Sequence, residues 1–188
     1  MTRLSVLQYP DPRLHTVAEP VQQINEDIRR LVADMMQTMY ALDGIGLAAT
    51  QVDVHLQIIV LDVSDKGNKP QVLINPTIIK TGGKAEFEEG CLSVPGVYES
   101  VRRSAWVHVR ALDLNGQTID VQAEGLKAMC IQHEMDHLQG MVFVEHLSPS
   151  NQRRILNSIS KHSRRSSSKA IVKSVSYTHL TLPTILLV

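Results

Sequence analysis

The five residues His133-Glu134-Met135-Asp136-His137 constrain this chain more than any other feature. In an α-helix, residues four apart lie about 40° apart around the axis and one turn along it, so two imidazoles can grip one ion. Glu134 projects about 100° from His133, near such an ion but poorly placed to bind it beside both histidines. A carboxylate there can handle protons for metal-bound water. With 8 His and 9 Glu in 188 residues, an accidental match is expected only about 0.02 times. The competing reading is a surface helix with two solvated histidines. Against it, Leu126, Met129, Cys130, His133 and His137 share one face at helical spacing. Both imidazoles are therefore expected to point inward, where they need partners.

Two histidines do not complete a tetrahedral site. No third histidine follows at the extended zinc-protease spacing, and a downstream glutamate is the other option, as in thermolysin-like peptidases. Glu145 is eight residues past His137 and beyond Gly140, which makes that geometry awkward. Cys91, in Glu88-Glu89-Gly90-Cys91-Leu92-Ser93-Val94-Pro95-Gly96, is the more attractive third ligand. A cysteine between a glycine and a strand-like segment can lie beside a helix remote from it in sequence. Cys/His/His plus one water is an open site, the form that catalytic metals take, and on ligand chemistry alone it suits zinc. Cys130 reads as a small core residue rather than a ligand.

The surrounding pattern predicts an α+β fold: a single domain of mainly antiparallel strands around the central H-E-x-x-H helix, with helices at both ends. Asn25 is placed as N-cap of an amphipathic helix over 25–42, with Ile28, Leu31, Val32, Met35, Met36 and Met39 repeating at three and four. Strands are expected over 57–63, over 71–75 ending at Pro76, and over 84–89. Strands over 107–114 and 117–122 flank Asn115-Gly116, a strong hairpin signal. The central helix is expected over 125–138 with Gly140 terminating it, and Ser148-Pro149 opens a third helix through about His162.

Three segments then carry a resemblance. Gly44-Ile45-Gly46-Leu47-Ala48-Ala49-Thr50-Gln51, Glu89-Gly90-Cys91-Leu92-Ser93 and Gln132-His133-Glu134-Met135-Asp136-His137 look like the three signature motifs of bacterial peptide deformylases, in order. The likeness covers about residues 4–165, with Tyr9-Pro10-Asp11 near its start and Leu147-Ser148-Pro149 near its end. It implies hydrolysis of the N-formyl group from the formyl-methionine that begins new proteins, with release of formate. It also implies metal ligands at Cys91, His133 and His137, and the catalytic carboxylate at Glu134. Ferrous iron is the family's usual physiological ion, with zinc or nickel able to occupy the site. Oxyanion donors are implied at the Gln51 side-chain amide and the Leu92 backbone N–H. The peptide would pair like an added strand with backbone at Ile45, Gly46 and Gly90. Its methionine side chain would enter a pocket lined by Ile45, Phe87, Leu126, Met129, Cys130 and His133, and Glu89 is counted among the substrate-binding residues. Two rival classes are a zincin-type metallopeptidase and a non-catalytic domain that binds peptides or ribosomes.

The formal charge of zero conceals a division along the chain. All 19 acids lie at or before Glu145 with 12 Lys/Arg, giving −7, whereas the seven basic residues from Arg153 to Lys173 face no acid at all. A basic C-terminal arm of this kind is either a solvated face or an element with its own partner. The resemblance to bacterial deformylases, whose basic C-terminal helices can dock near the ribosomal exit tunnel, implies ribosomal RNA and protein as that partner. With only 7 aromatic residues, a stacking surface for single-stranded nucleic acid is not expected. The N-terminus has no apolar signal region and no stretch reaches membrane-spanning length, so the expected location is cytoplasmic. The expected division is a catalytic domain over 1–165, a basic Ser-rich linker over 166–173, and an uncharged apolar tail over 174–188 of vector or read-through origin. A monomer is expected, with association arising through that tail.

Overall fold

In the computed structural model, residues 2–169 are described, those from 161 onward by their backbone alone. The expectations for the apolar tail, and for the end of the linker, lie outside the described residues. The chain divides after Phe143 into two compact units. Among the described residues, the strands lie in the first unit, and the second, from Val144, carries the helix over Pro149–Lys169.

Helix α1 spans Glu26–Ala41. It begins where expected because the Asn25 side chain accepts the Ile28 N–H at 3.1 Å, and Glu26 and Asp27 sit in the electropositive first turn. Seven strands follow: β1 (Gly46–Ala48), β2 (Ile58–Leu61), β3 (Gln71–Gly82), β4 (Ala85–Cys91), β5 (Val94–Arg103), β6 (Trp106–Leu112) and β7 (Thr118–Glu124). Helix α2 occupies Gly125–Leu138, and α3 runs Pro149–Lys169. A five-stranded antiparallel sheet has the order β1-β2-β3-β6-β7, and β4 and β5 form a separate antiparallel ribbon.

Strand β2 shows why the sheet is built into the middle of the first unit. Its four residues, Ile58-Ile59-Val60-Leu61, are all buried. Ile59 and Leu61 pack with Met129 and Ile131 of α2, whereas Ile58 and Val60 pack with Val32, Met35 and Met39 of α1. A strand covered on both faces needs an unbroken apolar run, which this one has. The β6–β7 hairpin closes as its turn residues require: Asp113 Oδ1 accepts the N–H groups of Asn115 and Gln117, each at 2.8 Å.

Four elements depart from expectation, the first being β1, a short strand where none was expected. Strand β3 continues through Pro76 to Gly82 rather than stopping there. Asn75 adopts φ +52°, and the register with β6 shifts between Ile74 and Thr77. The proline thus sits in an irregularity where its missing N–H costs no ladder bond. Strand β5 has no counterpart in the sequence reading, because Pro95 and Gly96 near its start look like a turn. Helix α3 runs beyond His162 through Ser166, Ser167 and Ser168, where a linker was expected.

Helix α2 ends where Gly140 takes φ +72°, and a Cβ there would lie 2.6 Å from the His15 carbonyl oxygen. Only glycine fits both conditions.

Candidate metal and active site

The site forms where α2 crosses the ends of β1 and β4. Along α2, Met129, Cys130, His133, Glu134 and His137 are all buried. Leu126 is the exception to the expected buried face: it lies in the first turn of the helix and is 36% exposed. Cys91 is the last residue of β4, at the tight turn through Leu92 and Ser93 into β5. That turn carries it to α2, with its Sγ 3.2 Å from His137 Nε2. One donor atom each from Cys91, His133 and His137 falls within 4.8 Å of the others. Glu145, the alternative third ligand, is exposed and outside this cluster.

The polar chemistry of the cluster is incomplete on its own. His133 Nε2, His137 Nδ1 and both Glu134 oxygens are buried and find no hydrogen-bond partner. Burying such groups without partners costs free energy, so a further polar species fits here. Burial, and then the charge of Glu134, push the Cys91 thiol well above its ordinary value. Burial and then the neighbouring His133 hold His137 neutral, as ligation demands. Burial likewise raises the Glu134 carboxyl well above the usual range. A divalent cation among these three donors would reverse the preference of the thiol and give His133 Nε2 a partner.

A buried charge network orients His133. Its Nδ1 lies 2.9 Å from Glu89 Oε2, leaving Nε2 for the cluster. Arg103 grips Glu89 through Nε and Nη2 and reaches Asp136 Oδ2 from Nη1 at 2.8 Å. Burial is the largest influence on Glu89 and would raise its pKa, but the bonds from Arg103 and His133 outweigh it and hold the carboxyl low. Phe143 stacks on the His133 ring at 5.9 Å. Arg103 escaped the sequence reading because Arg102 and Arg103 are adjacent on a strand that had not been recognised. One faces solvent and pairs with Glu86; the other turns inward. The available signal was Glu89 itself, an acid beside Gly90-Cys91 that needs a counter-charge if buried.

Gln51 lies in the 3-10 turn Ala49–Val52 and is fully buried. Its Oε1 accepts the Ala48 N–H at 2.8 Å, and its Nε2 lies 3.2 Å from Ser93 Oγ and 3.5 Å from Cys91 Sγ. Gly46 passes so close to α2 that a Cβ would sit 2.5 Å from Glu134 Oε1 and 2.8 Å from Cys130 Sγ. Ile45, Met129 and Cys130 belong to one buried cluster with Phe87 packed against it. Leu92 packs with the α1 cluster. A cavity of about 590 Å³, bordered by Leu4, Val6, Gln8, Leu42 and Pro95, opens onto Cys91 and Leu92. The residues expected to line the substrate side-chain pocket are not among those bordering it.

Comparison with known proteins agrees with this geometry. The family described as polypeptide deformylase matches residues 3–153. A curated relative from Burkholderia multivorans, named peptide deformylase 1, is 57% identical over 165 residues, covering 87% of this chain and 91% of that protein. The crystal structure of a peptide deformylase from Legionella pneumophila superposes with a TM-score of 0.84 at 41% identity, covering 88% of this chain and 98% of that one. A peptide deformylase from Ehrlichia chaffeensis in complex with actinonin superposes with a TM-score of 0.84 at 39% identity, covering 87% and 99% respectively.

Proposed function

The chain belongs to the polypeptide deformylase family, and from that premise we propose how its own residues carry out the reaction. The enzyme hydrolyses the N-formyl group of formyl-methionine at the start of newly made proteins: water adds, the formyl C–N bond breaks, and formate and a free amine leave. The observation that carries the assignment of residues is the convergence of Cys91, His133 and His137 on one point, with His133 Nε2 and the Glu134 carboxylate both buried and unpartnered beside it.

Cys91 Sγ, His133 Nε2 and a ring nitrogen of His137 would hold the divalent ion; Fe(II) is the physiological metal on the family resemblance, and zinc or nickel suits the same donors. Bound there, the ion would supply Lewis acidity, which lowers the pKa of a water toward neutrality. Glu134 takes a proton from the attacking water and passes one to the leaving amine. Its burial supports this role, since it raises the affinity of the carboxyl for a proton, which suits a group that takes one up and then passes it on. Gln51 Nε2 and the Leu92 N–H donate to the oxyanion that forms as the formyl carbon becomes tetrahedral. Glu89 acts through His133, fixing its tautomer, rather than on the substrate. Ile45, Phe87, Leu126, Met129, Cys130 and His133 receive the methionine side chain, with backbone pairing at Ile45, Gly46 and Gly90.

Catalysis is assigned to residues 1–165, and residues 174–188 to a foreign extension. We place the protein in the cytoplasm as a monomer; no helix among the described residues is long and apolar enough to cross a membrane. Arg153 and Arg154 are exposed on α3 whereas Ile155 is buried, which supports docking of the basic arm on ribosomal RNA. Anaerobic purification with metal analysis, followed by formate release from a formyl-Met peptide, tests the assignment. Glu134→Ala is expected to keep its metal and lose turnover, and full activity in that variant would sink the role of Glu134. A metal-free, inactive wild type would favour the peptide- or ribosome-binding reading.

A further inference from the structure

We propose that Ser93 is a positioning residue whose hydroxyl holds the Gln51 amide toward the metal cluster. The inference rests on the reading of Gln51 as an oxyanion donor and deepens it.

Ser93 is fully buried, and its backbone and side chain are all engaged. Its carbonyl accepts the Tyr9 N–H at 2.8 Å, and its own N–H points at Cys91 Sγ at 3.4 Å. Its Oγ accepts from Gln51 Nε2 at 3.2 Å. The first two bonds belong to the backbone, so changing the side chain leaves them in place. It removes the third, together with the contact of the hydroxyl with the Cys91 thiol. A loss through Cys91 would persist without Gln51, whereas a loss through the amide would not.

That third bond decides which way the amide can donate. The Ala48 N–H on Oε1 fixes the order of oxygen and nitrogen but leaves the amide free to pivot about that contact. The bond to Ser93 Oγ supplies the second fixed point. An amide nitrogen has two N–H groups. With one on Ser93, the other faces Cys91 Sγ at 3.5 Å, the longest of the amide's three contacts and one made to a weak acceptor. It is therefore the N–H that can be given up to an oxyanion at little cost.

The backbones of the two partners are also tied together. Leu7 N–H donates to the Gln51 carbonyl at 2.7 Å, and Gln8 Nε2 donates to the Leu92 carbonyl at 3.1 Å. Residues 7–9 thus strap the 3-10 turn that carries Gln51 to the turn that carries Ser93, which fixes the separation of Oγ and Nε2.

The test is a double-mutant cycle on the metal-loaded full chain: wild type, Ser93→Ala, Gln51→Ala and the double variant, with metal content and melting temperature recorded for each. Ser93→Ala is expected to lower kcat about tenfold with KM within about twofold, because a misdirected donor is lost only in the transition state. In the Gln51→Ala background the same change is expected to cost less than about twofold. An equal loss in both backgrounds, or no loss in either, would overturn the role of Ser93 alone. Full activity of Gln51→Ala would overturn the reading of Gln51 and this inference with it. A readout independent of turnover and of mutant folding is the side-chain amide of Gln51 in the ¹⁵N-labelled, zinc-loaded wild type. A pair of proton signals protected from solvent exchange and shifted from the positions of a free side-chain amide is expected, whereas an unprotected pair at ordinary positions would contradict the proposal.

Discussion

Replacing Arg103 by methionine removes a cation that makes three bonds in the interior, two to Glu89 and one to Asp136. Glu89 is fully buried, and the Arg103 side chain is only 5% exposed. Solvent therefore cannot replace the lost partner, and His133 alone remains against the Glu89 carboxylate. Breaking a buried ion pair from one side costs about 3–5 kcal/mol, because the orphaned charge stays in the interior. The same change weakens the hold on His133 Nδ1, and losing such a support typically costs about 10–100-fold in metal affinity. Chemical denaturation of the metal-loaded protein at neutral pH reads the first quantity, and competition with a chelator reads the second. Adding Glu89→Gln to Arg103→Met should recover much of the stability, since no unpaired charge is then buried, without restoring metal affinity. A stability loss under about 0.5 kcal/mol with unchanged metal affinity would refute the reasoning, since an ordinary surface substitution does no more.

Three other perturbations have defined outcomes. Gly46→Ala drives a methyl group against Glu134 and Cys130, so turnover should fall by about tenfold or more, with about 1–3 kcal/mol of overpacking seen in melting; wild-type kinetics would contradict the close approach. Asp62 is buried; burial would raise its pKa, but Ser64, Tyr40 and the Lys69 N–H together hold it low, so its stabilisation is present above the ordinary carboxylate range and lost as pH falls through its folded value. Asp62→Asn should therefore lower stability near pH 7 by about 1.5–3 kcal/mol and flatten the loss of stability on acidification, which denaturation across pH would read. Stripping the ion with a chelator should lower the melting temperature, and adding it back should restore it, as for any ligand that binds the folded state alone. An unchanged melting temperature would count against the cluster as the metal's place.

Local signals carried the sequence reading a long way where each had a single structural meaning. Asn25 caps α1, Asn115-Gly116 closes the β6–β7 hairpin, and His133 and His137 lie one turn apart on a buried helix face. The approach of Cys91 to that helix was legible only as a chemical requirement, because nothing in the spacing from 91 to 133 states a distance. What stayed hidden depended on tertiary context. Pro76 looked like a stop, but Asn75 in the left-handed region absorbs it within one strand. Which of Arg102 and Arg103 turns inward follows from the register of β4 against β5, and β5 was masked by Pro95 and Gly96. Leu126 fits the apolar face by spacing, yet it occupies the first turn, where no neighbour covers a third of its surface. Ser166 to Ser168 are indifferent helix formers, so nothing local announced that α3 continues through them.

The most direct test of the central claim is mass spectrometry of a formyl-Met peptide incubated with the metal-loaded enzyme, read beside a formate assay. One product is expected, the full-length peptide with a free N-terminal amine, formed with an equal amount of formate and lost in Glu134→Ala. Internal fragments from formylated and unformylated peptides alike, without formate, would contradict it and identify a peptidase instead.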